Sequence, residues 1–194
     1  MQVAAIILAA GGSRRLGAPK QLLKVNGETL IERAVRLARE AGASSVIAVL
    51  GAYRQAIVAS LHSSGATIAV NEKWERGIAS SIQAGLRTVD ADREDAAGVL
   101  LMSCDQPRLT ATHLRSLIET FAAHPEPAII ASAYAGVQGV PAVFPRVAWP
   151  RLRELRGDQG ARVLLSQPTW PVIAVPLEGG EVDIDLPEDL AYLR

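Results

Sequence analysis

The chain reads as an α/β protein in which helices cover both faces of a mainly parallel sheet. Two observations predict that class. Short apolar runs recur along the sequence, and segments of helical periodicity separate them. That alternation is the signature of a parallel sheet built from strand–helix–strand units. A third observation bounds it: 194 residues, 49% of them hydrophobic, suit one domain with a single sizeable core.

Val3–Leu8 is the first expected strand. Residues 29–41 follow, with apolar side chains at Leu30, Ile31, Ala34, Val35, Leu37 and Ala38, a helical spacing ended by Gly42. Val46–Leu50 and Thr67–Val70 are the next strands, with a helix over 53–62 between them. A helix over 80–89 leads to a strand over 99–102 and then a helix over 112–123, for which Thr110 can serve as N-cap. Strands over 128–133 and 172–175 complete the set. Residues 136–145 are the least regular stretch and are expected to form a substrate-facing lobe. Residues 158–165 read as a short helix capped by Asp158. In 181–190, Asp183 and Asp185 alternate with Val182 and Ile184, so on a strand the two carboxylates share one face. Pro187 then opens the last helix, with Glu188 and Asp189 as favourable charges in its first turn.

Composition excludes several classes. No apolar run approaches the roughly 18 residues of a membrane span. Formal net charge is zero and only eight residues are aromatic, so neither a polyanion-binding surface nor a base-stacking platform for nucleic acid is expected. One cysteine, Cys104, excludes an intrachain disulfide framework and a thiolate zinc site, and reads as a buried thiol. The first residues lack the basic region of a signal peptide, and the cytoplasm is the expected compartment.

The most informative stretch is LAAGGSRRLGAPKQLL, residues 8–23. Ala9, Ala10, Gly11, Gly12 and Ser13 allow backbone amides to approach a ligand closely, and Arg14, Arg15 and Lys20 supply positive charge. A strand leading into such a loop suits a nucleoside triphosphate. The dinucleotide fingerprint G-x-G-x-x-G fails, because Ser13 and Leu16 stand where glycines belong. The P-loop fails too, because Ala18 and Pro19 stand in place of Lys and Ser/Thr. The alternative is a glycine-rich turn with solvated arginines.

Asp105, just past an apolar strand in SCDQP, is placed either to hold Mg²⁺ or to open an Asp-x-Pro turn. Asp183 is the second candidate metal carboxylate, and Asp185 either assists it or caps the last helix. Gly77, Ser80 and Ser81 join a strand to a helix, where the serines can cap the helix or donate to a nucleobase. Arg162, in the first turn of a short helix, is unfavourable to the helix dipole unless an anion lies near. No histidine pairs with a nucleophile, so covalent catalysis has no support. A phosphate monoester, with a second pKa near 6, is already anionic and needs charge neutralisation rather than a base.

The loop at 8–23 resembles the signature of nucleotidyltransferases, L-A-A-G-x-[SG]-x-R-[ML]-G-x-x-K-x-L-L. Together with NEKWERGIASSIQAGL, SCDQP, GVQGVPAVF, RGDQGAR and DIDLPEDL, it makes the chain similar to the molybdenum cofactor cytidylyltransferases of the MobA-like group. The resemblance implies a three-layer, Rossmann-like nucleotidyltransferase fold with a mainly parallel mixed sheet. It divides residues 1–194 into a nucleotide-binding part, roughly 1–107, and an acceptor-binding part, roughly 108–194. The implied reaction moves CMP from CTP onto the phosphate of molybdopterin-bound molybdenum and releases pyrophosphate, with Mg²⁺ as cofactor. Arg15, Lys20 and Asp105 are implied as catalytic residues. Leu8, Ala9, Ala10, Gly11, Gly12, Ser13, Arg15, Lys20, Gly77 and Ser81 are implied to bind nucleotide. Asp105 and Asp183 are implied to hold the metal, and Gly139, Pro141, Asp158 and Arg162 to face the acceptor. A molybdoenzyme or its chaperone is the implied protein partner. One position departs from the pattern: members acting on this cofactor often read G-H-P where this chain has Gly139-Val140-Pro141, and Val140 has no donor to offer. A transferase for a sugar or polyol phosphate, a GTP-using transferase, and a non-catalytic nucleotide-binding protein are the competing readings.

Overall fold

The computed structural model describes residues 1–92, 95–166 and 168–193. Its elements in chain order are β1 (Val3–Leu8), β2 (Lys24–Val25), β3 (Glu28–Thr29), α1 (Leu30–Glu40), β4 (Val46–Leu50), α2 (Arg54–Leu61), β5 (Thr67–Val70), α3 (Ile78–Ala91), β6 (Gly98–Ser103), α4 (Ala111–Ala123), β7 (Ile129–Tyr134), β8 (Val137–Pro145), α5 (Trp149–Glu154), α6 (Arg162–Ser166) and β9 (Val172–Pro176). Three-residue 3-10 turns follow the first loop, β5 and β8, and a longer one, Pro187–Leu193, follows the last acidic segment.

Seven strands form one sheet in the order β5-β4-β1-β6-β8-β7-β9, and only β8 runs against the others. The apolar strands alternate their side chains between two cores. Ala5 and Ile7 of β1 pack with Ile31, Val35 and Ala38 of α1 and Leu114, Leu117 and Phe121 of α4. Ala4 and Ile6 pack on the other face with Ile82 and Leu86 of α3 and Trp149 of α5. The result is the expected three-layer α/β architecture with a mainly parallel, mixed sheet. All six apolar positions read from the spacing of α1 are buried. Thr29 caps that helix through a reciprocal capping box with Glu32. Among the described residues, no helix is long and apolar enough to cross a membrane.

Four expectations need correction. The stretch 136–145 is not a lobe: it contains the nine-residue strand β8, which sits inside the sheet between β6 and β7. Gly139 and Pro141 disguise it, since both weaken a strand pattern. The structure accommodates Pro141 at an irregularity, where the β7 register jumps from Ala131↔Ala142 to Ser132↔Gly139. Second, Asp183 and Asp185 are not on a strand, and the helix opened by Pro187 is 3-10 rather than α. Third, Asp158 caps no helix, because α6 begins at Arg162. Fourth, neither Ser80 nor Ser81 caps α3: Gly77 precedes that helix and both serines lie within it.

Candidate active site

β1 and β6 lie side by side, with Leu8 level with Ser103, and the chain's progress across the sheet reverses between them. Such a switch point leaves a crevice beyond the C-terminal strand ends. Here it is a cleft of about 460 Å³.

The turn after β1 engages its carbonyls within the protein. Gln21, only 1% exposed, donates through Nε2 to the carbonyls of Ala9 and Gly11, both at 2.9 Å. The Ala52 N–H donates to the Ala10 carbonyl at 3.0 Å. The amides of Gly11 and Gly12 meet no protein acceptor among the described residues. Free amides beside small side chains suit the oxygens of a phosphate or a base carbonyl. Ser13, at a φ of 46°, closes the turn: its carbonyl accepts from Leu16 and Gly17, and its hydroxyl accepts from the Lys20 N–H at 3.2 Å. Trp74 packs over Gly12 and Gly51, where added Cβ atoms would approach the ring to 3.2 and 2.6 Å.

Charge gathers at one end of the cleft. Lys20 Nζ bridges Asp105 Oδ2 at 2.5 Å and Asp185 Oδ1 at 2.8 Å, and Arg15 reaches Asp185 Oδ2 at 2.6 Å. The Ile184 N–H donates to the Asp105 carbonyl at 3.0 Å, tying the acidic segment to the end of β6. Asp189 accepts from the N–H groups of Asp185 and Leu186, so it braces this turn besides charging a helix end. Burial alone would lower the Lys20 ammonium, but Asp105 and Asp185 outweigh it and hold its pKa above the ordinary lysine range. Burial alone would raise Asp185, but Lys20 and Arg15 prevail and hold it low. Asp183 goes the other way: burial, then repulsion from Asp105 and Asp185, pushes its carboxyl up. Burial, reinforced by Asp105, pushes the Cys104 thiol up to about 12, so this buried cysteine is not a nucleophile.

These groups fit a hard divalent cation. Asp183 has no hydrogen-bonded partner among the described residues, its neighbours repel it, and a cation would relieve that repulsion. Among the described residues no group of three or more His, Cys, Asp or Glu side chains converges as metal ligands. Two carboxylates suffice for Mg²⁺, which takes one or two plus phosphate oxygens and water.

Leu8, Ala9, Ala10, Gly11, Lys20, Gly77, Ser81, Asp105 and Asp158 all line the one cleft. Gly12 adjoins it through Trp74, Ser13 through Lys20 and Arg15 through Asp185, while Asp183 is linked to it by repulsion from Asp105. Gly77 has a φ of 95°, and a Cβ there would lie 2.3 Å from the Gly157 carbonyl and 2.6 Å from Asp158 Oδ1. Gly139 and Pro141 do not line the cleft. Gly139 lies beneath the Tyr134 hydroxyl, and the Pro141 carbonyl accepts from Ser132, which is itself bonded to the buried His113. Val140, between them, faces the cleft instead. Arg162 lines a separate cavity of about 320 Å³ with Gly136, Val137 and Gln138.

Sequence reasoning missed three residues. Gln21 orders the loop, and the signal was a polar residue inside the otherwise apolar end of KQLL. Asn71, at the end of β5, donates to the hydroxyls of Ser80 and Ser81 at 2.8 and 3.0 Å. Gln106 donates to the Gly180 carbonyl at 2.9 Å, which holds the acidic segment against the Asp105 turn.

This sheet, with an amide-rich cationic turn facing a carboxylate pair across its switch point, is that of a nucleotidyltransferase. A model of the MobA-like NTP transferase domain matches residues 5–171, and the chain belongs to that family. It is 33% identical to the nicotine blue oxidoreductase of Paenarthrobacter nicotinovorans, with 98% of this chain and 96% of that protein covered. It is 30% identical to the purine catabolism protein PucB of Bacillus subtilis strain 168, covering 97% and 94%. A probable molybdenum cofactor guanylyltransferase of Opitutus terrae is 28% identical, covering 91% and 86%. Among solved structures, Rv0371c from Mycobacterium tuberculosis H37Rv superposes with a TM-score of 0.87 at 33% identity, covering 100% and 98%. A structure of Rv0371c in complex with manganese gives 0.82 at 30% identity, covering 100% and 98%.

Proposed function

We propose that the chain transfers CMP from CTP onto the phosphate of molybdopterin-bound molybdenum, releasing pyrophosphate, in the cytoplasm. The observation that carries this reading is the cluster of Lys20, Arg15, Asp105, Asp183 and Asp185 beside the free amides of Gly11 and Gly12. Residues 1–107 form the nucleotide half and 108–194 the acceptor half. The backbone of Leu8 to Gly12, together with Gly77 and Ser81, binds the nucleotide and reads the base. Ser13 holds the turn. Lys20 and Arg15 exchange Asp185 for phosphate oxygens. Asp105 and Asp183 hold Mg²⁺, which when bound neutralises the triphosphate and the charge of departing pyrophosphate. The acceptor approaches from Asp158 and Val140, with Gly139, Pro141 and Arg162 supporting that side.

An acceptor phosphate oxygen attacks the α-phosphorus, and the bond to the β-phosphate oxygen breaks. A phosphate dianion needs no proton removed, and no histidine lines the cleft among the described residues. Positioning and charge neutralisation therefore carry the step. The small side chains of Ala9, Ala10 and Gly11 support a pyrimidine read by backbone groups. The manganese complex of Rv0371c supports a divalent metal.

Val140 favours a second reading, in which the acceptor is another phosphorylated small molecule, because an apolar side chain with no donor to offer lines the cleft at this position. The oxidoreductase name of the Paenarthrobacter relative finds no matching dinucleotide fingerprint in residues 11–16. Pyrophosphate release from CTP with Mg²⁺ tests the proposal, with molybdenum cofactor and with sugar and polyol phosphates as acceptors. Release only with the latter group sinks the molybdenum assignment, and release only from GTP sinks the cytidylyl one.

A further inference from the structure

Across the 72–81 segment from the cleft lies a second cavity, about 730 Å³, that shares no lining residue with it. Lys73, Arg76, Arg87, Arg153 and Arg156 line it, against one acidic residue, Glu72. The whole chain balances 20 basic with 20 acidic residues, so this concentration is local. Glu72 is already paired with Arg54 at 2.6 Å, and Asp90, from outside the cavity, pairs with Arg153 at 2.7 Å. Lys73, Arg76 and Arg87 have no carboxylate partner among the described residues. Arg156 donates to the carbonyls of Arg153 and Leu155 at 3.1 and 3.0 Å, which fixes its guanidinium and leaves its charge uncancelled.

Four cations with no carboxylate partner among the described residues share this concavity, where they repel each other and can donate to an anion. A ligand with several negative charges removes the repulsion and accepts those bonds. The volume falls within the range of small-molecule sites, roughly 300–1,000 Å³. We propose that this groove is a second binding site, separate from the cleft, for an oligophosphate: pyrophosphate or the phosphate chain of a nucleotide.

The groove is wired to the cleft. Asn71 and Ser80 line the groove and Ser81 lines the cleft, and the Asn71 amide donates to both hydroxyls. The Lys73 N–H donates to the Asn71 side chain at 3.0 Å, and the Ser80 hydroxyl donates to the Lys73 and Gly77 carbonyls. An anion drawing Lys73 and Arg76 inward thus acts on the backbone and hydroxyls that hold Ser81.

Calorimetric titration with pyrophosphate at low salt, with Mg²⁺ present, tests the site. The wild-type chain is expected to bind two equivalents. Arg76→Ala/Arg87→Ala, checked for folding by circular dichroism, should weaken one event at least tenfold and leave the other. Arg15→Ala and Lys20→Ala should do the reverse. Repeating the titration with CTP separates the two sources: filling of both sites identifies a nucleotide chain, and filling of the cleft alone identifies pyrophosphate. A single event insensitive to Arg76→Ala/Arg87→Ala overturns the proposal, and so does a groove that binds polyglutamate but not pyrophosphate. A chain that bound pyrophosphate in the groove yet never turned over CTP would leave this site standing while removing the proposed reaction.

Discussion

Lys20 and Arg15 both contact Asp185, yet their surroundings differ. Arg15 is 67% exposed, whereas Lys20 is largely enclosed between Asp105 and Asp185. Both substitutions to Ala should reduce turnover by about 10²–10³-fold, the loss typical of one preorganised donor to developing charge. Only Lys20→Ala should also destabilise the metal-free protein, by about 1–3 kcal/mol, less than for a fully buried pair because water reaches this site. Thermal melts beside turnover assays check this, and equal melting temperatures for the two variants would contradict it. Asp183 predicts the opposite trade. Its folded pKa is raised, so its stabilising contribution is complete below the unfolded value and is lost as pH rises through the folded one. At neutral pH it therefore works against the metal-free fold. Asp183→Asn should raise the metal-free melting temperature by about 1–3 °C, taking the range for exposed charge pairs, and abolish any rise on adding Mg²⁺ with CTP. A fall in the metal-free melting temperature would remove Asp183 from the repelled cluster. These residues were legible because LAAGGSRRLGAPKQLL and SCDQP set charge beside small residues at strand ends. The pairing of Asp185 with both cations was not, because it depends on folding residue 185 back onto residues 15 and 20.

Elements carry the site through a few tight junctions. The turn after β5 meets residues 157 and 158 through Gly77, at a positive φ where any side chain would strike the opposing backbone. Gly77→Ala should cost about 1–3 kcal/mol of stability and lower kcat/KM, because it pushes apart two segments that line the cleft. Chemical denaturation with parallel kinetics tests it, and an unchanged midpoint would mean the junction yields freely. The capping box of α1 is a control on the far face of the sheet. Thr29→Ala should cost about 1 kcal/mol and leave turnover unchanged. The same contrast explains what could be read at this scale. The periodicity of α1 was plain because one face packs against a core. β8 was hidden because its Gly and Pro serve an irregularity that only the neighbouring strand explains. The β2–β3 hairpin carried a readable sign, Asn26-Gly27 with both residues at positive φ, but its two-residue strands are too short for alternation to register.

At the scale of the whole molecule, the order of the sheet brings residues distant in sequence to one edge. Alternation of apolar runs and helices was sufficient to infer parallel strands covered on both faces. It was not sufficient to infer that β8 reverses and places Val140 at the cleft beside residues from β1 and β6. Ligand that fills this junction links the loop after β1, the end of β6 and the acidic segment, so it should stabilise the fold as a unit. By mass action, CTP with Mg²⁺ at 100 times its Kd should add about 2.7 kcal/mol. For a chain of this size that is a rise of about 5–10 °C in melting temperature. The rise should require the metal, because without it Asp105, Asp183 and Asp185 repel the triphosphate; adding a chelator should reverse most of it. GTP with Mg²⁺ should give a smaller rise, since a base read by fixed backbone groups leaves buried polar groups unpaired when mismatched. A GTP shift equal to or larger than the CTP shift would overturn the cytidylyl assignment while leaving nucleotidyl transfer intact. A CTP shift indifferent to chelation would instead remove the metal from the carboxylate pair.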